Sequence, residues 1–209
     1  MIRIHDVSRT ISPALAVWPG DAPPSLRHVV RKADGAGYNL TNLTLSPHTG
    51  THADAPWHFD ESGCRADGVD LARYMGRTHV VTVARKRGGI VPADLGNADL
   101  AGLERLLVHT WVSDLEDSEW TNEFPYPTIE LVDFLADRGA VLLGMDAPSV
   151  DAFDSEDLPC HHRLYERGMG SLENLMLRGV PDGIYDLAAL PLKIAGACGS
   201  PVRAVLRDI

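Results

Sequence analysis

The chain has 209 residues, of which 44% are hydrophobic and 23% are charged, and its formal net charge is −10 at pH 7. This length and composition predict a soluble globular protein that forms an ordinary hydrophobic core without disulfides. The negative charge argues against nucleic acid as a partner, and the sequence contains no apolar run of the roughly 18–20 residues that a membrane helix needs.

The predicted secondary structure is rich in strands. Helix 128–138 has a one-sided apolar face, can begin at Pro127 and Thr128 and can end at Gly139. Two shorter helices are predicted, one over 100–105 and one that begins near His161. Short segments rich in Val, Ile, Leu and Thr predict strands at 2–7, 42–45, 79–84, 106–111, 141–143, 174–177, 184–187, 190–194 and 202–206.

The order of these elements predicts the fold class. Helix 128–138 lies between two predicted strands, which is typical of a βαβ unit. The polar segment 113–126 has no clear period and predicts a long surface loop. We therefore expect one α/β domain over residues 1–209.

The cysteines indicate a reducing compartment. Cys64, Cys160 and Cys198 form no C-x-x-C pair, and an odd number of cysteines suits free thiols. The first residues resemble a strand more than a signal peptide. We therefore expect a cytoplasmic protein.

Residues 46–59 contain the most informative pattern of the chain. This segment includes the three histidines His48, His52 and His58 together with Asp54. Imidazole and carboxylate groups are the usual side-chain ligands of a catalytic divalent metal. The glycine and prolines between them argue against a regular helix, so we expect the ligands to lie on a loop.

The spacing supports one ion and leaves the role of the last histidine open. A loop that leaves strand 42–45 would bring His48, His52 and Asp54 around a metal, whereas a lone histidine in a surface turn would more often form an ordinary hydrogen bond. The two oxygens of Asp54 would allow it to bridge two ions. His58 fits either a further ligand or a free acid/base group.

A second polar group follows at Cys160, His161 and His162, with Glu173 further along the chain. Adjacent histidines on a helix point about 100° apart, so at most one would face a given site. Glu173 precedes an apolar segment and needs a partner there. Metal ligation and an ordinary cap or surface pair both fit this spacing, and we expect Cys160 to be a buried structural thiol.

The turn 18–21, Trp-Pro-Gly-Asp, carries a tryptophan that sequence alone assigns to either of two roles. Trp18 would cover the core or form the wall of a pocket for an aromatic substrate. Asp146, which follows strand 141–143, fits either a residue that contacts the ligands from outside or an element of a loop.

The segment from His48 to His58 matches the signature H-x-G-T-H-x-D-x-P-x-H at every fixed position and resembles the cyclase-like metal-dependent hydrolases. That resemblance implies a compact α/β swivelling domain of the β/β/α type that assembles as a homodimer or a higher homo-oligomer. Further segments are similar to the branch of the family that hydrolyses aryl formamides; they are 18–21, 157–162 with Glu173, 190–193 and 200–206.

The resemblance also implies two divalent metal ions in each subunit, with zinc expected and manganese as the alternative. Among the adjacent histidines it selects His161 over His162, because of the spacing to Glu173 found in the family. The implied ligands are His48, His52 and Asp54 for the first ion, and Asp54, His161 and Glu173 for the second.

The activity implied by the resemblance is hydrolysis of N-formyl-L-kynurenine to L-kynurenine and formate, a step of tryptophan degradation. His58 would be the acid/base residue, and Trp18 would contact the aromatic substrate. One alternative is a sister hydrolase that acts on isatin or another aryl amide, and another is a metal-binding protein without turnover. Segments 113–126 and 194–199 depart from the family pattern and would line or cover the pocket.

Overall fold

The computed structural model describes residues 2–209, which form thirteen strands and two α-helices, α1 (Ile129–Ala136) and α2 (Pro159–Glu166). The strands are β1 (Ile4–Asp6), β2 (Ser25–Val30), β3 (Leu40–Thr44), β4 (His52–Asp54), β5 (Met75–Thr82), β6 (Gly88–Ile90), β7 (Arg105–His109), β8 (Pro125–Pro127), β9 (Leu142–Met145), β10 (Gly170–Leu172), β11 (Gly183–Ala188), β12 (Gly199–Pro201) and β13 (Val205–Asp208). Six short 3-10 helices connect them, at Lys32–Asp34, Pro56–His58, Ala66–Gly68, Leu71–Tyr74, Pro92–Leu95 and Trp111–Asp114.

Seven strands form the main sheet in the order β1-β13-β11-β5-β7-β9-β10. The half from β5 to β10 is parallel, and the half from β1 to β5 is antiparallel. Three separate two-stranded sheets accompany it: β2 with β3, β4 with β12 and β6 with β8. Strand β4 of the β4–β12 pair carries His52 and Asp54, two members of the first group of predicted ligands.

The core lies on both faces of the main sheet. On β7, Leu106 and Val108 face the cluster that includes α1 and α2, while Leu107 faces the opposite cluster, as the two-residue repeat of a strand requires. Helix α1 forms where predicted, since the Thr128 side chain accepts a hydrogen bond from the backbone N–H of Leu131. Gly139 follows the helix with a φ of +88°, a conformation that favours glycine.

The predicted α/β class is confirmed, and so is the βαβ unit, because α1 connects the parallel strands β7 and β9. The predicted strands 42–45, 79–84, 106–111, 141–143 and 184–187 overlap β3, β5, β7, β9 and β11, and strand 2–7 is reduced to β1. The helix predicted near His161 is α2. Segment 113–126 is largely irregular, although Ser113 and Phe124 are buried.

Two predicted elements are wrong because of a glycine and a proline. Residues 100–105 form a turn instead of a helix, since Gly102 has a φ of +66° and β7 begins at Arg105. Residues 190–194 form no strand. Pro191 has no backbone N–H to give to a ladder, and Leu192 is 58% exposed.

Two other predicted strands are displaced. Segment 174–177 is not a strand, although Leu175 and Leu177 are buried. Asn174 has a φ of +55°, and the amides of this segment donate to two different parts of the chain, those of Asn174 and Leu175 to Ala147 and Met145 and that of Met176 to Val7. The predicted strand 202–206 is divided at residues 202–204, where the chain passes from β12, paired with β4, to β13 in the main sheet.

Neither helix within residues 2–209 has the length and the apolar composition needed to cross a membrane.

Candidate metal centre and pocket

The first group of predicted ligands lies on a turn and a short buried strand. His48 is in the turn after β3, and Gly50 bends the chain with a φ of +66° before β4 begins. His52 and Asp54 lie two residues apart on β4 and therefore point to the same side. The prediction that all three ligands lie on a loop is wrong for these two, because β12 and Glu173 provide backbone partners for β4.

The side chains of this group converge. His48 Nδ1 lies 2.9 Å from Asp54 Oδ1, and His52 Nε2 lies 3.4 Å from the same oxygen. One ligand atom from each of the three residues falls within 4.8 Å of the others, the arrangement that a metal ion requires.

A second group shares Asp54. His161 Nε2 lies 3.3 Å from Asp54 Oδ2 and 3.3 Å from Glu173 Oε1. Helix α2 buries His161 next to Asp54 and Glu173 and exposes its neighbour His162. These three ligand atoms also lie within 4.8 Å of one another. Asp54 thus presents one oxygen to each group.

The donor set fits a divalent metal. Asp54 Oδ1 is buried and is without a hydrogen-bond donor among the described residues, although His48 Nδ1 lies 2.9 Å away. An orphaned buried carboxylate oxygen is costly unless a cation occupies the space before it. Histidine nitrogens and carboxylate oxygens are the donors that zinc and manganese accept.

The electrostatics of the groups indicate the same need for positive charge. Burial lowers the pKa of His48 and His52, but their contacts, chiefly with Asp54, outweigh it and raise these values to about 9 and about 10. Burial raises the pKa of Asp54, yet the surrounding histidines hold it well below its usual range. Without a metal, protons on the histidines balance the carboxylates; a metal would replace those protons.

Outer partners fix the orientation of the predicted ligands. The ring nitrogens that face away from Asp54 and Glu173 have partners of their own. His52 Nδ1 lies 2.9 Å from Gly50 O, and His161 Nδ1 lies 2.7 Å from Asp151 Oδ2. His48 Nε2 lies 3.1 Å from Cys198 Sγ. Such partners set the tautomer and the angle of a metal-binding imidazole. Glu173 Oε1 accepts a hydrogen bond from the Val150 amide, and Asp54 Oδ2 accepts one from Ser171 Oγ.

Sequence reasoning missed Asp151 and Ser171, and it flagged Cys198 only as part of segment 194–199. Asp151 accepts hydrogen bonds from the backbone amides of Cys160 and His161 as well as from the His161 ring. No local motif links these residues, because only the folded chain brings residue 151 to the N-terminus of α2. As predicted, Cys160 is a buried thiol, and its Sγ donates to Pro127 O.

His58 lies beside both groups without completing either of them. Its ring is 4.2 Å from that of His48 and 5.9 Å from that of His161, measured between centroids. Burial of the ring lowers the pKa of His58, which favours its neutral form. One nitrogen of His58 also falls within 4.8 Å of ligand atoms of His48 and Cys198. His58 is therefore placed for proton transfer, and the geometry also accommodates it as a ligand.

A cavity of about 340 Å³ opens above these side chains. It is lined by Trp18 and by five of the predicted site residues, His48, His52, His58, His161 and Glu173, while Asp54 is buried beside them. The Trp18 ring packs against Phe153, Trp120 and Phe124 at centroid distances of 5.0, 5.5 and 6.4 Å. Segments 113–126 and 194–199 contribute Trp120 and Cys198 to the lining.

Asp146 lies outside this cavity and supports a loop that borders it. Its buried carboxylate accepts hydrogen bonds from the amides and hydroxyls of Thr110 and Ser113. Ser113 Oγ in turn accepts one from the amide of Leu177. Asp146 therefore fixes the start of segment 113–126, and of the two roles that the sequence allowed it has that of a loop element.

The fold and the two ligand groups define a class of protein. Residues 5–152 match the Cyclase family model, described as "Putative cyclase". The chain belongs to this family.

Known relatives are consistent with that assignment. A kynurenine formamidase from Salinibacter ruber is 45% identical over 204 residues, which is 97% of this chain and 96% of the relative. A structure described as a predicted metal-dependent hydrolase from Bacillus stearothermophilus is 26% identical, with a TM-score of 0.82 and coverage of 100% of both chains. Isatin hydrolase A from Labrenzia aggregata, 24% identical, shares the fold with a TM-score of 0.83 over 99% of this chain and 93% of its own.

Proposed function

We propose that the chain is a metal-dependent amidohydrolase that converts N-formyl-L-kynurenine and water to L-kynurenine and formate. The observation that carries this proposal is the pairing of two ligand groups, joined by Asp54, with an aromatic wall in one cavity. The 45% identity to the Salinibacter ruber kynurenine formamidase over nearly the whole chain supports the choice of substrate.

The proposed cofactor is two zinc ions per subunit, with manganese as the other ion these ligands accept. His48, His52 and Asp54 would hold the first ion, and Asp54, His161 and Glu173 would hold the second. When bound, such ions supply Lewis-acid activation of water and stabilise developing negative charge on the formyl oxygen.

The protein's own side chains would orient the substrate and move the proton. Trp18, held by its aromatic neighbours, would stack on the aryl ring and direct the formamide towards the carboxylates. The lowered pKa of His58 favours the neutral imidazole that a general base requires. His58 would accept a proton from the attacking water and donate it to the departing aniline nitrogen, the two roles of a general base and a general acid.

We further propose that residues 1–209 act as one hydrolase domain in a cytoplasmic homodimer. The hairpin of β2 and β3 supports the dimer, because every side chain of its two strands except the half-buried Val30 is exposed. Its exposed residues include Leu26, Val29 and Leu43. An isolated two-stranded hairpin is marginally stable in water, so a second copy of the chain would stabilise it.

Direct assay tests the proposed substrate. The purified chain, stripped of metal and reloaded with zinc or manganese, is given N-formyl-L-kynurenine or isatin, and kcat/KM is measured for each pair. We expect a clear preference for N-formyl-L-kynurenine. A preference for isatin would establish the second candidate instead, which is favoured by the fold shared with isatin hydrolase A.

A further inference from the structure

The pocket carries one formal charge that the metal chemistry does not use. Two carboxylates line the cavity among residues 2–209, the proposed ligand Glu173 and Asp21. No lysine or arginine of these residues lines it. Apart from the histidines, the remaining lining is aromatic, aliphatic or neutral and polar. A cationic group on the substrate would find its only matched charge at Asp21.

The turn that carries Trp18 also fixes Asp21. The Asp21 amide donates to Trp18 O at 2.9 Å, and Gly20 between them has a φ of +97°. Asp21 Oδ1 accepts a hydrogen bond from the Ala22 amide at 2.7 Å. Oδ2 receives none from the described residues, so one carboxylate oxygen of this half-buried side chain is free to accept.

We propose that Asp21 is a specificity residue that binds the α-ammonium group of an aryl formamide bearing an amino-acid side chain. This inference rests on the proposed function. The formamide would lie at the metal centre and the aryl ring against Trp18. Asp21 follows Trp18 by three residues in the same turn and lines the same cavity, so its carboxylate is available to the amino-acid part of the substrate. A charge-assisted hydrogen bond from an ammonium group is among the stronger polar contacts available to a ligand. Isatin and simple aryl formamides have no such group.

The test compares two substrates that differ in one group. The first is N-formyl-L-kynurenine, and the second is its desamino analogue, in which hydrogen replaces the α-ammonium. Their kcat/KM ratio is measured for the native enzyme and for Asp21→Asn. Asp67→Asn is the matched control, because Asp67 is an exposed aspartate outside the cavity lining whose change alters the net charge equally.

We expect the native enzyme to prefer the ammonium substrate. Asp21→Asn should lower that preference about ten-fold or more, while Asp67→Asn should keep the native ratio. Equal losses with both substrates would show that Asp21 only supports the turn, and an unchanged ratio would show that the ammonium binds elsewhere; either result overturns the inference.

The ratio of kcat/KM for the two substrates in the native enzyme is a second test, which does not depend on the folding of a variant. Equal kcat/KM values for the two substrates would contradict the inference. If the native enzyme hydrolyses neither formamide, the proposed function itself fails.

Discussion

Asp54 presents its two carboxylate oxygens to different histidines. Oδ1 lies near His48 and His52, and Oδ2 lies near His161. The His58 ring lies beside the His48 ring and is exposed to solvent. We propose metal binding for Asp54 and proton transfer for His58, and the two roles can be separated experimentally.

We expect Asp54→Ala to remove both ions and all activity, because both ligand groups depend on this carboxylate. His58→Ala should retain the metal and lose about 10²–10⁴-fold in kcat, the usual contribution of a general acid/base group. Metal content by mass spectrometry and kcat are measured on the same samples. Release of metal by His58→Ala would instead identify His58 as a ligand.

Metal binding should become tighter as pH rises. Below pH 9 the metal-free protein holds a proton on His48, whose pKa is raised to about 9, and also on His52, whose pKa is raised to about 10. A metal must displace those protons, so affinity increases with pH until they are lost. Calorimetry at pH 7.5 in buffers of different ionisation enthalpy should detect release of at least one proton per protein. Binding without proton release contradicts this description of the site.

At the scale of secondary-structure elements, α2 positions the proposed ligand His161, and Asp151 caps the N-terminus of this helix. Asp151 accepts hydrogen bonds from the Cys160 and His161 amides and from the His161 ring. One carboxylate thus caps the helix and sets the tautomer of the histidine, which leaves Nε2 facing Asp54 and Glu173.

Asp151→Asn should weaken the second metal site about 10–100-fold, the usual effect of losing an outer partner, and leave the first site unchanged. Asp157→Asn, an exposed aspartate in the same connection before α2, is the control. Zinc titration with a competing chelator resolves the two affinities. Equal weakening of both sites would mean that the variant disturbs the fold and not the orientation of His161.

The elements also show how far local sequence determines the structure. Helix α1 was predictable because its cap, apolar face and terminal glycine lie within one segment. Segments 100–105 and 190–194 have apolar residues but are interrupted by Gly102 and Pro191, whose backbone restrictions prevail over side-chain composition. The buried segment 174–177 was mistaken for a strand, because burial and ladder pairing leave the same apolar signal in a sequence.

The clustering of the proposed ligands was predictable for a different reason. His48, His52 and Asp54 lie within one short motif, and the family spacing located His161 and Glu173, which the structure brings to the same place. Asp151 and Ser171 were not predictable, since their contacts with the ligands exist only after the chain has folded. Asp21 was visible as part of a turn, but its place in the pocket lining required the structure.

At the scale of the whole molecule, the exposed hairpin and the acidic body carry complementary charge. Residues 25–44 contain Arg27, Arg31 and Lys32 against Asp34, while the whole chain has a net charge of −10. None of the three cations forms an ion pair within residues 2–209. A hairpin with basic and exposed apolar residues on an acidic protein is suited to a symmetric contact, in which each copy binds the hairpin of the other.

Leu43→Asp should convert the proposed dimer into monomers of 22.7 kDa, because it places a carboxylate in the apolar contact. Leu71→Asp is the control, since Leu71 is as exposed as Leu43, at 50% and 52%, and lies outside the hairpin. Light scattering after size exclusion gives the mass of each protein. A native monomer, or a Leu43→Asp variant that remains dimeric, would remove the hairpin from the interface.

The most direct measurement is formate release from N-formyl-L-kynurenine as zinc is added to the metal-stripped native chain. We predict no hydrolysis without metal and a rise to a plateau at two equivalents per chain, because Asp54 serves two ligand groups. Hydrolysis that is independent of zinc, or a zinc-loaded protein with no formate release, would contradict the account of a two-metal formamidase.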